Sequence, residues 1–167
     1  MSTNPRKKKQ KFSLAHYRKD KRIVELVRKS DQITLAVWAI DCAERVLPYF
    51  EKEYPEDHRP QKAIETLKTW IMTGVFKMAV IRRASLDAHA AAREVGKDSA
   101  AGSAARAAGQ AVATAHVSTH SIGSAIYALQ AVHRATNAAN TQTAIAEERE
   151  WQYQHLLKLK KDSVESR

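Results

Sequence analysis

His116 and His120 stand four residues apart, which places both imidazoles on one face if a single helix carries them. That spacing can grip a metal ion, as in zinc proteases. The supporting parts are missing, because the residues between them are Val117, Ser118 and Thr119, with no glutamate to act as a base. A third ligand would have to come from elsewhere, with His89, Asp41 and Glu44 as the candidates. The competing reading packs these histidines between helices, bonded to backbone or acids. The incomplete ligand set favours it, so no metal and no cofactor are expected.

Cys42 is the single cysteine, so no intramolecular disulfide can form. Its neighbours Ala39, Ile40 and Ala43 suit a small buried apolar residue, and no cationic setting for a thiolate is visible. There is no glycine-rich phosphate loop and no serine-centred elbow. Trp38, Trp70 and Trp151 lie in separate segments, as core or edge residues rather than a base-stacking platform. The chain therefore reads as non-enzymatic. Its remaining polar candidates are Asp41, Glu44 and Arg45, which lie off the apolar stripe of their helix, and His89 and Arg93, which share a face at i, i+4. His116 and His120 join them if the helices converge. Such a cluster either binds a partner or forms an internal network that fixes helix order, and the sequence leaves both open.

The formal net charge of +10 is concentrated at one end. Residues 1–29 hold eleven Lys or Arg and two acids, a net of +9, whereas the remaining chain holds 17 basic and 16 acidic residues. Residues 1–12 carry no core-forming pattern, and a disordered basic arm is expected there. Arg6, Lys7, Lys8, Lys9 and Lys11 could neutralise phosphates, giving a weak, salt-sensitive contact with nucleic acid. Residues 13–30 read as a basic amphipathic helix over Leu14–Lys29, with Ser13 as its cap, serving as a lid or an acid-binding arm.

The elements that must position these groups are helical. Glycine and proline are scarce, at five and four copies, which disfavours an all-β design. After Ser30 and Asp31, apolar residues recur at steps of three and four from Ile33 to Tyr54, with a kink or helix end expected at Pro48. Asp57 is placed to cap a third helix, with Pro60 in its first turn and Gly74 at its end. A fourth helix is expected over about Val75–Val95. Phe76, Met78, Val80 and Ile81 make its first half apolar nearly all round, which implies a central place in the bundle. From Ala84 to Ala146, 22 of 63 residues are alanine, which predicts closely packed helices. A break near Val117–Thr119, a stripe from Ile122 to Val132 and a turn at Asn137–Asn140 follow. The periodicity of the last helix is weak, and fraying is expected after Lys161. The fold class is thus all-α, a single compact bundle of about six to seven helices. Its core spans 31–140, and a C-terminal helix with a frayed tail spans 141–167. The lone cysteine, and a charged N-terminus with no apolar stretch behind it, suit a cytoplasmic protein. The longest apolar run, Ile33 to Ile40, is too short to span a membrane.

Trp38-Ala39-Ile40-Asp41-Cys42-Ala43-Glu44-Arg45-Val46-Leu47-Pro48, followed by Arg59-Pro60 and Ala63-Ile64-Glu65, resembles the immunity-protein family of bacterial polymorphic toxin systems. So do Ala88-His89-Ala90-Ala91-Ala92-Arg93 and the alanine-rich segment from Ala104 to Val117. The resemblance covers roughly residues 35–135, leaving the arm and the C-terminal helix outside. It implies a small helical protein that neutralises a cognate, co-encoded toxin by direct binding. The alternative is a helical nucleic-acid-associated protein that uses its arm. A homo-oligomer is compatible with either.

Overall fold

Short polar side chains start three of the helices by accepting backbone N–H groups that the helix itself leaves without partners. Asp20 accepts from Arg22 at 3.1 Å, Asp31 from Thr34 at 2.9 Å, and Ser99 from Gly102 at 2.9 Å. The computed structural model describes residues 20–166. Within them lie α1 (Lys21–Arg28), α2 (Gln32–Val46), a single turn α3 (Pro48–Glu51), α4 (Arg59–Thr73), α5 (Met78–Glu94), α6 (Ala100–Ala113), α7 (His120–Ala135) and α8 (Thr141–Glu165). The fold is an all-α bundle, and no strand occurs among the described residues. No helix among them is long and apolar enough to cross a membrane.

α6 is the centre of the bundle. Ala101, Ala104, Ala105, Ala107, Ala108, Ala111 and Val112 are fully buried, and α2, α3, α4, α5 and α7 all pack on it. Small side chains let those axes come close on every side, and alanine keeps the helix intrinsically stable. At one end of it Gln32 Nε2 donates to the carbonyls of Thr114 and Ala115, each at 3.0 Å, satisfying groups beyond the last helical turn. α7 is next most enclosed, with Ser121, Ser124, Ala125, Ala128, Leu129 and Ala131 all buried.

The expected central place of the fourth helix is corrected. Gly74 ends α4 in the left-handed region at φ 65, and α5 starts only at Met78. Phe76, Met78, Val80 and Leu86 are exposed, and Ile81 is the residue of that stretch that enters the core. α5 packs on α4 and α6 alone among the well-packed pairs, so an edge helix leaves most of its circumference to solvent. Apolar residues all round a helix do not by themselves centre it; the smallest side chains occupy the crowded position instead.

Two other expectations shift. His58, not Asp57, is the N-cap residue of α4, while the Asp57 carboxylate accepts the Arg59 N–H at 3.1 Å. The last helix continues past Lys161 to Glu165 and is docked by Thr141, Ile145, Glu148, Gln152 and Leu156. Pro48 ends α2 as expected and sits in the first turn of α3.

The arm residues 1–12, with Arg6, Lys7, Lys8, Lys9 and Lys11, lie outside the described residues, as do the Ser13 cap and residues 14–19. From Lys21 onward the basic helix is docked: Ile23 and Val27 are buried, and Arg22 lies 4.4 Å over the Tyr153 ring of α8. The core therefore reaches beyond 31–140 at both ends. Ile23→Ala should lower unfolding free energy by about 2–5 kcal/mol, read from denaturant melts; an unchanged midpoint would mean that α1 does not belong to the core.

Candidate functional site

Asp41 and Arg45 are one turn apart on α2 and face α8, where Glu148, Trp151 and His155 recur at steps of three and four. Arg45 makes a two-pronged bond to Glu148, Nε to Oε1 at 2.9 Å and Nη2 to Oε2 at 2.8 Å. Its guanidinium also lies 3.8 Å over the Trp151 ring. Trp151 stacks on His155 at 4.7 Å between ring centroids, and His155 Nε2 donates to Asp41 Oδ2 at 2.6 Å. The loop of contacts closes on α2, where it began. The Glu148 side chain is only 7% exposed, so its charge is held in the seam by Arg45. Below this layer, Trp38 Nε1 donates to the Gln152 carbonyl at 2.9 Å. The Gln152 amide donates to the Ala125 carbonyl of α7 at 3.0 Å. Glu44 points the other way and pairs with Lys68 of α4.

Cys42 lies fully buried in the same layer. Burial pushes its thiol well above the usual range, and the carboxylates of Glu148 and Asp41 push the same way. A protonated thiol closed to solvent is an apolar filler, not a nucleophile.

The histidines gather elsewhere, around α6. His89 of α5 lies flat against Gly109, where a Cβ would come within 2.8 Å of Nε2. Glycine is required there because the ring occupies the space of a side chain. Ser85 Oγ donates to the Gly109 carbonyl at 2.9 Å, fastening the same crossing. His120 opens α7, and its Nδ1–H donates to Gln110 Oε1 at 2.8 Å. His116 lies beyond the end of α6, exposed, and stacks on Phe76 at 6.4 Å. The helix is broken between His116 and His120, so their i, i+4 spacing does not place them on one helical face. Arg93 is exposed one turn beyond His89.

The seven polar candidates thus fall into two groups. Asp41, Glu44 and Arg45 hold α2 to α8 and α4, whereas His89, Arg93, His116 and His120 sit around α5, α6 and α7. No group of three or more His, Cys, Asp or Glu that could hold a metal forms among the described residues. The residues missing from the sequence reading are Glu148, Gln152 and His155. For Glu148 and Gln152 the signal was the spacing Thr141, Ile145, Glu148, Gln152 and Leu156, a helical stripe with polar members.

His89 is held below the ordinary imidazole value of 6.5 by burial first, then by the positive charges of Arg106 and Arg93 and by His120. His120 is lowered by burial and then by His116. The fold therefore favours both neutral rings, while the unfolded chain takes up protons first as pH falls. Their contribution to stability is full above about pH 6.5 and declines as pH drops towards the lower folded values. A His89→Gln/His120→Asn variant should lose less melting temperature than wild type between about pH 8 and about pH 5; parallel curves would remove these rings as the cause. In the α2–α8 seam, Arg45→Ala strips a buried carboxylate of its partner and should cost about 1–3 kcal/mol in denaturant melts. Arg45→Lys should recover only part of that loss, since an ammonium supplies neither the fork nor the flat stacking face.

No curated protein and no solved structure matches the chain. A family model does, over residues 25–159, under the description Imm-5 like putative immunity protein. The match reaches well beyond the 35–135 legible by eye and takes in most of α8, the helix that the Trp38–Arg45 block holds. With the greater part of its length covered, the chain belongs to the Imm-5 like family.

Proposed function

We propose that this chain is a bacterial, cytoplasmic immunity protein that neutralises a co-encoded toxin by direct binding and performs no catalysis. The observation that carries the reading is the family match over residues 25–159. The chemistry of the seam supports it. The polar residues of the recognisable block are engaged with neighbouring helices, and the one cysteine is buried and held protonated. A binding protein needs a stable scaffold with a presented surface, and a seam of this kind provides the scaffold.

One observation favours a second reading. Residues 1–29 carry a net +9 against +1 for the rest of the chain. A segment of that composition suits a polyanion, and binding through it would weaken steeply with salt.

Co-expression with the toxin encoded beside it separates the two. Wild-type protein should restore growth and co-purify with that toxin. Failure to protect, together with salt-dependent retention on nucleic acid, would replace the immunity reading with the second one.

A further inference from the structure

Met72, Val75, Phe76, Met78 and Val80 crowd the junction of α4 and α5 at 80%, 58%, 42%, 42% and 50% exposure. Single exposed apolar residues are ordinary; five within nine positions, on both sides of one turn, are not. Beside them runs an open groove of about 380 Å³ between α4 and α5, with Trp70, Val75, Val80 and Ile81 among its walls. The groove offers little to a polar small ligand. The hydroxyls of Thr66, Thr69 and Thr73 on its α4 wall donate to the carbonyls of Lys62, Glu65 and Thr69 at 2.7–2.9 Å. What remains is apolar and fits a large apolar side chain.

The charge around this surface has one sign. From residue 66 to residue 86 the chain has four cations and no acid. Lys68 and Arg83 pair with Glu44 and Asp87, but Lys77 in the groove wall and Arg82, one turn after Met78, form no ion pair among the described residues. The N-terminus of α5 lies at the same place, with no side-chain cap and no acid in its first turn. Its free N–H groups add a fixed partial positive charge.

We propose that the α4–α5 junction docks an acidic segment of a partner protein, its large apolar side chains entering the groove and its carboxylates facing Lys77, Arg82 and the start of α5. Charge decides against two other occupants. Residues 1–19 of this chain hold seven cations and no acid. A second copy placed junction to junction would oppose like charges. Under the immunity reading, on which the partner's identity as the toxin rests, the contacted toxin surface is acidic. Inhibition then does not imitate a nucleic acid, since this face carries the sign opposite to a phosphate backbone.

The probes are two synthetic amphipathic helical peptides with leucines on one face and either glutamates or lysines on the other. The full chain should bind the glutamate peptide at least about tenfold more tightly, with a preference that shrinks as salt is raised. Val75→Ser with Phe76→Ser should lower that affinity about tenfold, and Lys77→Glu with Arg82→Glu should abolish the preference. Both double variants alter exposed side chains and should melt within a few degrees of wild type; Met72→Ser with Val80→Ser replaces the apolar variant if it does not, and Lys77→Gln with Arg82→Gln replaces the charge variant. Equal affinity for the two peptides, or glutamate-peptide binding that no junction variant weakens, overturns the proposal. So does concentration-dependent self-association that the Val75/Phe76 variant removes, which would make a second copy the occupant. These outcomes are read apart from wild-type protection against the toxin, so the docking surface and the immunity reading fail separately. Where wild type protects, the junction variants should lose protection while remaining folded.

Discussion

Everything in this bundle depends on how closely helices can approach α6. Its buried face is built from alanine, glycine and serine with one valine, Val112, near its end, so it presents mostly backbone and methyl groups where most helices present leucine. Axes approach to the distance their side chains allow. Five elements crowd around one helix because almost nothing protrudes from it. The same constraint fixes where larger groups go. His89 takes its place because position 109 is glycine, and the Gln110 amide as placed uses the space over Gly123, where a Cβ would lie 2.5 Å from Oε1. The bulk of the core comes from the surrounding helices instead, with Trp38, Phe50, Leu67 and Leu129 all fully buried.

α8 is held by a different principle. It places only Ile145 and Leu156 in the fully buried core, with Trp151, Tyr153 and Leu159 packed partly buried against it. Directional contacts supply the rest: an indole N–H to a backbone carbonyl, a buried amide to another, and the Arg45–Glu148 fork beneath an aromatic lid. Each is modest in net energy, but leaving any partner unsatisfied in that layer is costly, which makes the arrangement specific. Hydrophobic packing would tolerate a slide along the helix; a fork, an indole bond and a His–Asp bond at fixed intervals do not.

Much of the fold was legible because its signals are local. Gly74 at a helix end, Pro48 as a stop and the turn at Asn137–Asn140 follow from backbone chemistry at single positions. The place of α5 was not legible, because hydrophobicity reports what a residue would gain by burial, not whether a neighbour is there to bury it. The docking of α8 was hidden for the converse reason. Its contact stripe includes Glu148 and Gln152, which an apolar-periodicity reading counts as surface. The candidate cluster divided in the same way. Asp41, Glu44 and Arg45 were visible as polar residues off a stripe, but their partners come from helices whose approach no local pattern encodes.

The distribution of acids ties the two principles together. Of the 18 acidic residues, none lies between 66 and 86 and none between 99 and 146. The second gap covers α6 and α7, and within those two helices, which are buried or half-buried nearly all round, a carboxylate would have to be desolvated, so packing accounts for its absence there. The first gap has no such cause. Met72, Val75 and Val80 are exposed, and a carboxylate would be well solvated beside them. On a surface that only had to stay soluble, interspersed charge would mask these apolar groups, as the Arg83–Asp87 pair does one turn further along. A stretch that keeps its apolar side chains and cations exposed while carrying no acid is the pattern of a face complementary to something outside the chain.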